Sequence, residues 1–244
     1  MQPQFILRLS SSPVFFQMTG KALPWLIGTS LILGAIGLWS ALFVTPTDAQ
    51  QGEVYRVLYV HVPTAWMSML LYVVASFYAG LHLVFRTSVS AVMMRAMLPT
   101  GAWMTLLALV TGSLWGKPTW GTYWIWDARL TFELLLLFIY LGLIAVASLI
   151  DDERKTDQLL SVFTLVGLVN IPLIYFSVVF WNTLHQGASL SMSGGSKMAP
   201  IMKATLFVCV LAMWLGCAAL AMARARWQLV DRERDSAWTG SVLV

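Results

Sequence analysis

Long uninterrupted apolar segments dominate the chain, and short polar segments separate them. Each apolar segment approaches or exceeds the roughly 20 helical residues that cross a hydrocarbon core about 30 Å thick. None shows the alternation of apolar and polar residues that is typical of barrel strands, and a helix satisfies every backbone polar group inside lipid. The pattern therefore predicts six membrane-spanning helices, at about residues 23–44, 64–85, 97–114, 131–150, 159–180 and 201–223.

The composition agrees with an all-α integral membrane protein, because 59% of the residues are hydrophobic and only 11% are charged. Soluble domains carry about 25% charged residues. No soluble segment is long enough to fold alone, so residues 1–244 are predicted to form a single membrane domain. The first apolar segment is too long for the apolar region of a signal peptide and is expected to remain as a helix.

Basic residues near the span ends predict the orientation, since Lys and Arg are retained on the cytoplasmic side. With six spans, both termini lie on the same side of the membrane. That side carries ten of the 15 basic residues. Both termini, including the tail at residues 224–244, are therefore predicted to be cytoplasmic, and the loop between the third and fourth spans is predicted to face outward.

The sequence lacks the motifs of several function classes. The net charge of +4 fits the orientation bias and requires no nucleic acid as a partner. No phosphate-binding GxxxxGK[ST] loop, GxSxG, HExxH or CxxC motif is present. Cys209 and Cys217 lie roughly 12 Å apart along one predicted helix, too far for a disulfide within it, and are expected to be buried thiols.

Two of the three histidines are predicted to meet at the outer surface. Pro63 suits the first turn of the second helix, which puts His61 at the membrane surface just before it. His185 follows the fifth span and reaches the same surface. His82 lies roughly 31 Å from His61 along the same helix and belongs near the cytoplasmic end.

Two neutral imidazoles that approach from opposite faces can serve as the axial ligands of a six-coordinate haem iron. A zinc site would need further Cys or carboxylate ligands, which the outer loops hardly offer. Each histidine could instead be an interfacial residue that hydrogen-bonds a neighbour or a lipid headgroup.

Four of the 12 tryptophans lie between the two histidines, in the loop after the third span. One or two indoles would fit an aromatic belt at headgroup level. Four indoles exceed that need and suit a large, flat, apolar ligand such as a porphyrin. If the segment is helical near its end, Trp120, Tyr123, Trp124 and Asp127 share one face, although Pro118 argues against an unbroken helix.

The propionates of a haem call for cations at the rim of such a site. Arg56, Lys117 and Arg129 are candidates, with Arg preferred because its planar fork pairs with a carboxylate through two hydrogen bonds. Arg129 could instead pair with Glu133, one turn further along the helix. Asp127 could simply cap the fourth helix.

The segment 115–131, WGKPTWGTYWIWDARLT, resembles the tryptophan-rich WWD signature of the haem-handling protein family. HVPTAW around His61 and WNTLHQG around His185 resemble the histidine motifs that flank this signature. The order of motifs and the number of spans agree along nearly the whole chain with the short members of the family, which act in cytochrome c maturation. Phe180 departs from the pattern, since relatives tend to carry a second Trp before Trp181.

The resemblance implies that His61 and His185 ligate the iron of haem b near the outer leaflet of the bacterial inner membrane. The WWD segment would hold the edge of the macrocycle, with Trp115, Trp120, Tyr123, Trp124, Trp126, Asp127 and Arg129 as its contact residues.

The resemblance also implies a set of partners. They are a periplasmic haem chaperone that receives the haem, an ABC-type ATPase with its membrane subunit, and a small single-span membrane subunit. The implied role is binding and delivery of haem, not enzymatic catalysis.

Two other classes remain open on the residues alone. A quinone-linked membrane cytochrome b would also bind haem, but it would bury its histidines within the bilayer. A secondary transporter would carry ionisable residues or broken helices near the midplane, where these spans hold almost no charge.

Overall fold

The computed structural model describes residues 11–181, 183, 185 and 198–240. All the regular secondary structure of these residues is helical. Eight α-helices follow in the order α1 Ser12–Trp39, α2 Leu58–Phe85, α3 Ser88–Trp120, α4 Ala128–Leu149, α5 Glu153–Gly167, α6 Asn170–Phe180, α7 Pro200–Arg232 and α8 Ala237–Gly240. Helix α1 continues into a π-helical turn at Ser40–Val44, and a 3₁₀ turn at Glu53–Val57 leads into α2.

Among the described residues, six helical segments are long and apolar enough to cross a membrane, which confirms the predicted all-α fold with six spans. Helices α5 and α6 together form the fifth span, 28 residues long, with a turn between them. Each of the other spans is built around one of the helices α1 to α4 and α7.

Helices α2 to α7 surround a shared core, whose largest fully buried side chains include Tyr72, Met94, Leu136 and Tyr140. Helix α2 packs most extensively against α3, and α1 packs mainly against α7. Only 11% of the apolar window of the first span is buried, against 44% for the third. The first helix is therefore peripheral and leaves most of its apolar surface open to lipid or to another chain.

The described ends of the chain lie together. The hydroxyl of Ser12, in the first turn of α1, donates a 2.7 Å hydrogen bond to Glu233 Oε1, just after α7. We call this end of the bundle the terminal end. The opposite end, where α3 finishes and α4 begins, is called the pocket end.

The second helix begins earlier than the sequence suggested. Pro63 lies inside α2 instead of in its first turn, because the chain is already helical from Leu58. The Thr64 hydroxyl donates to the carbonyl oxygens of Val60 and His61 at 3.0 and 2.9 Å, which adds hydrogen bonds where the proline has none to give. His61 is consequently a helical residue that faces the protein, not a residue that precedes the helix at the surface.

The third helix runs unbroken through Pro118, contrary to the expectation from sequence. A proline so close to the end removes a single backbone hydrogen bond, and the Thr119 hydroxyl donates to the Trp115 carbonyl at 2.6 Å. Gly121 then ends the helix in the left-handed region, with φ of 82°. The helical face proposed for Trp120, Tyr123, Trp124 and Asp127 was wrong, because only Trp120 belongs to the helix.

Candidate functional site

A pocket opens at the pocket end, between the first turns of α2 and α4, the last turns of α3 and the loop that joins α3 to α4. Its unfilled volume, including the part open to the surroundings, is about 570 Å³. Six predicted site residues line it: His61, Trp120, Tyr123, Trp124, Arg129 and His185. The fold therefore brings together two histidines that are far apart in the sequence.

Hydrogen bonding determines which nitrogen of His61 is free. Its Nδ1 lies 3.1 Å from the Thr111 hydroxyl oxygen, on α3. That hydroxyl donates its own proton to the Leu107 carbonyl at 2.6 Å, so it accepts from the Nδ1–H of His61. The Nε2 lone pair is then left for a ligand.

A carboxylate lies near Nδ1 of His185, as the Thr111 hydroxyl lies near Nδ1 of His61. Nδ1 of His185 lies 3.7 Å from Asp127 Oδ2, while Oδ1 of Asp127 accepts the Leu130 N–H at 2.8 Å and caps α4. Asp127 thus caps the helix, as one interpretation of the sequence held, and also faces His185. Burial and the nearby Arg129 lower the pKa of His185 to about 4, against the opposing effect of Asp127. The imidazole is therefore neutral near pH 7 and can act as a metal ligand.

Three of the eight unpaired buried side-chain atoms among the described residues lie at this site. Within the described ranges, Trp124 Nε1, Asp127 Oδ2 and His185 Nδ1 are buried side-chain atoms that lack a hydrogen-bond partner. Buried polar atoms in proteins are nearly always paired, so an unpaired group of them calls for an explanation. Asp127 Oδ2 and His185 Nδ1 face each other at 3.7 Å, whereas the indole N–H of Trp124 is available to a ligand.

The aromatic residues divide into two groups. The indole of Trp120 packs against the ring of His185, with 5.2 Å between centroids, and Trp124 and Tyr123 complete the wall. Trp115 and Trp126 lie outside the pocket lining.

Each of these two outer tryptophans nevertheless supports a residue of the pocket. Trp115 packs edge-on against His61 at 5.6 Å and donates its indole N–H to Gln51 Oε1 at 2.9 Å. Trp126 is 76% exposed and packs edge-on against Trp124.

Of the three candidate cations, only Arg129 lines the pocket. No ion pair within 4.0 Å joins it to Glu133. Arg56 lies elsewhere, since it pairs with Glu53 and donates to the carbonyl of Ala41 and to Thr45. Lys117 is exposed and donates to the Gly121 carbonyl at 3.0 Å.

Three features at or beside the pocket have no signal in the sequence motifs: the hydroxyl of Thr111, the absent side chain of Gly112 and the carboxyl group of Glu133. A Cβ on Gly112 would approach His61 Cε1 to 3.0 Å, so the glycine leaves room for the ring. The sequence pattern suggests Glu133 only as a partner for Arg129. Its place within an otherwise apolar span was the signal that could have identified it.

Fold and site together define a polytopic helical membrane protein with a tryptophan-lined, two-histidine pocket at one end of its bundle. The family described as "Heme exporter protein C" matches residues 5–240. This chain belongs to that family.

Three relatives match this chain over 70% or more of its length. Heme exporter protein C of Bradyrhizobium diazoefficiens is 42% identical over 227 residues, which cover 93% of this chain and 86% of the relative. The protein of the same name from Escherichia coli K12 is 39% identical over 238 residues, or 97% and 96% of the two chains. A putative cytochrome c biosynthesis mitochondrial protein of Marchantia polymorpha is 47% identical over 171 residues, or 70% and 72%.

Proposed function

We propose that this protein binds haem b in the pocket, with the iron ligated by Nε2 of His61 and Nε2 of His185. It would then deliver the haem for the biogenesis of c-type cytochromes. The observation that carries the proposal is the paired arrangement of the histidines. They come from different segments, line one pocket, and each has a polar group beside Nδ1, which leaves Nε2 for iron.

The residues of the pocket suit a porphyrin better than a bare metal ion. Among the described residues, no group of three or more His, Cys, Asp or Glu side chains could hold a metal ion. A porphyrin supplies four nitrogen ligands itself and needs only two from the protein. When bound, it would supply a flat apolar surface and an iron that changes oxidation state by one electron.

The surrounding side chains would orient this ligand. Trp120, Tyr123 and Trp124 offer rigid aromatic surface against the ring at little entropic cost. In the described part of the chain no carboxylate lies within ion-pair distance of Arg129, so its guanidinium is available to a propionate. Trp126, with 76% of its surface exposed, is free to contact a partner while packing against Trp124.

The proposal includes a location and partners. The chain would lie in the bacterial inner membrane with its termini in the cytoplasm, so that the pocket end faces the periplasm. It would pass haem to a periplasmic haem chaperone and work with an ABC-type ATPase, its membrane subunit and a small single-span subunit. The names of the relatives, which describe haem exporters, support this assignment.

Replacement of either histidine tests the proposal. Wild-type protein purified from membranes is expected to carry haem with the absorption spectrum of low-spin, bis-histidine iron. His61→Ala and His185→Ala are each expected to remove the low-spin spectrum and most of the haem, because one axial ligand is lost. His82→Ala is the matched control, because His82 is buried at the terminal end. Unchanged haem spectra in both pocket variants would overturn the ligand assignment.

A further inference from the structure

A carboxylate lies in the pocket within the fourth span. Glu133 is on α4, one turn beyond Arg129, and only 8% of its surface is exposed. Ionisable groups inside a membrane span are costly, so their retention points to a function. Glu133 lines the same pocket as the two histidines.

Local structure does not account for a charge at this position. The Ser68 hydroxyl on α2 has one proton to share between Glu133 Oε1 and the Ala65 carbonyl, both 2.7 Å away. No cation of the described residues lies within 4.0 Å of the Glu133 carboxyl group. Glutamine could accept the same hydrogen bond without charge. A purely structural role therefore explains the hydrogen bond but not the acid.

The charged and titratable groups around Glu133 come from several elements. His61 faces the pocket from α2, Arg129 and Tyr140 belong to α4, and His185 and Asp127 come from the connecting segments. From α3 the lining residues are Ala108, Leu109, Gly112, Gly116 and Trp120, none of which titrates.

We propose that Glu133 is the counter-charge of the haem iron and holds the bound haem in its oxidised state. This inference rests on the proposed function. A porphyrin dianion with two neutral imidazoles leaves one net positive charge on a ferric centre and none on a ferrous centre. The proposal requires Glu133 to be ionised when haem is bound, and the positive charge of the ferric centre favours the ionised form. An ionised Glu133 stabilises the ferric state selectively, and the low polarity of the pocket strengthens its effect.

The expected size of the effect follows from Coulomb's law. Unit charges on the order of 10 Å apart, at an effective dielectric constant of about 20, change a binding ratio by about tenfold. Glu133 would thus raise the affinity for ferric relative to ferrous haem by about that factor. For a one-electron couple this corresponds to a reduction potential lower by about 59 mV.

Redox titration of the purified, haem-loaded protein tests the inference. Glu133→Gln is expected to raise the midpoint potential by about 59 mV while the bis-histidine spectrum is retained. Glu133→Met removes the charge without leaving a buried polar group, and it is expected to give the same shift. Glu133→Asp keeps the charge and is expected to restore most of the wild-type potential. Glu153→Gln, which removes an acid at the terminal end, is expected to leave the potential unchanged.

The results separate this inference from the proposed function. A wild-type potential in Glu133→Gln or Glu133→Met, with the low-spin spectrum intact, would overturn the counter-charge and leave the haem site standing. A shift in Glu133→Asp as large as that in Glu133→Gln would also overturn it, since the side chain's shape and not its charge would then matter. Failure of the wild-type protein to bind haem would refute the proposed function itself.

Discussion

The polar group beside Nδ1 of each pocket histidine determines what that histidine can do. Thr111 accepts from His61, whereas the carboxylate of Asp127 faces His185. Groups of this kind orient a ligating imidazole and fix its tautomer, and their removal typically weakens metal binding by about 10- to 100-fold. The ligand properties of His61 and His185 therefore depend on residues that would not touch the iron.

Replacing Thr111 by valine tests this dependence. The substitution nearly preserves shape but removes the hydroxyl that accepts from the His61 Nδ1–H, so the ring of His61 is held less firmly. We expect haem affinity to fall by about tenfold and part of the low-spin absorption to be lost. Haem titration of the apoprotein, followed by absorption and electron paramagnetic resonance spectra, measures both effects.

Two variants control for the threonine substitution. Thr111→Ser keeps the hydroxyl and is expected to bind haem as the wild type does. Thr105→Val removes a buried hydroxyl from the same helix that bonds only the Gly101 carbonyl. Equal losses of haem affinity in Thr105→Val and Thr111→Val would show that the effect comes from the helix and not from His61.

The residues also show where sequence patterns succeed and fail. His61 and His185 could be paired because the order of the spans puts both on one side of the membrane. Arg56 is predicted on the same side of the membrane, yet its guanidinium bonds to Glu53, Ala41 and Thr45 instead of facing the pocket. The order of the spans predicts the side of the membrane on which a residue lies, but not which side chains it contacts.

At the scale of elements, an ionic cluster joins three helices at the terminal end. Asp157 on α5 is 4% exposed and pairs with Arg95 of α3 at 2.7 Å and with Arg232 of α7 at 2.9 Å. Removing one partner of a buried ion pair leaves the other charges uncompensated. The cluster therefore holds the ends of these helices together opposite the pocket.

Asp157→Asn is expected to destabilise the protein by about 3 kcal/mol, because two arginines lose their shared counter-charge. Thermal unfolding of the purified protein in detergent should show a clearly lower midpoint. Asp231→Asn removes an acid from the exposed pair with Arg234 and should change stability by less than about 1 kcal/mol. Equal midpoints for Asp157→Asn and wild type would contradict the role of the cluster.

The observed helices also extend beyond the boundaries that hydropathy predicts. Hydropathy identifies the segment that prefers lipid, but the helix continues wherever its backbone groups find partners. Helix α3 therefore extends past Pro118 until Gly121 adopts a positive φ. The extension matters because it puts Trp115 and Trp120 on a rigid helix beside the two histidines.

At the scale of the whole molecule, the bundle separates a pocket end from a terminal end. The contact between Ser12 and Glu233 shows that the described chain ends share one side. The excess of basic residues on that side predicts that it is cytoplasmic. The pocket would then open towards the periplasm.

Single cysteines at the two ends test this orientation. Lys117→Cys, at the exposed end of α3, is expected to react with a membrane-impermeant maleimide in intact cells. Arg154→Cys, at the start of α5, should react only after the inner membrane is permeabilised. Cys209 and Cys217 are free but buried, and the unsubstituted protein measures their background labelling. Labelling of Arg154→Cys but not Lys117→Cys in intact cells would reverse the proposed orientation.

The sequence by itself determined the class of the protein, the number of spans and the motifs that mark its family. These follow from local properties, because lipid acts as a uniform solvent and a helix satisfies its own backbone. Only the tertiary structure decided which polar groups meet within the bundle: Thr111 with His61, Asp127 with His185, and Glu133 with Ser68. Such pairs depend on how each helix is rotated against its neighbours, and packing over the whole bundle sets that rotation.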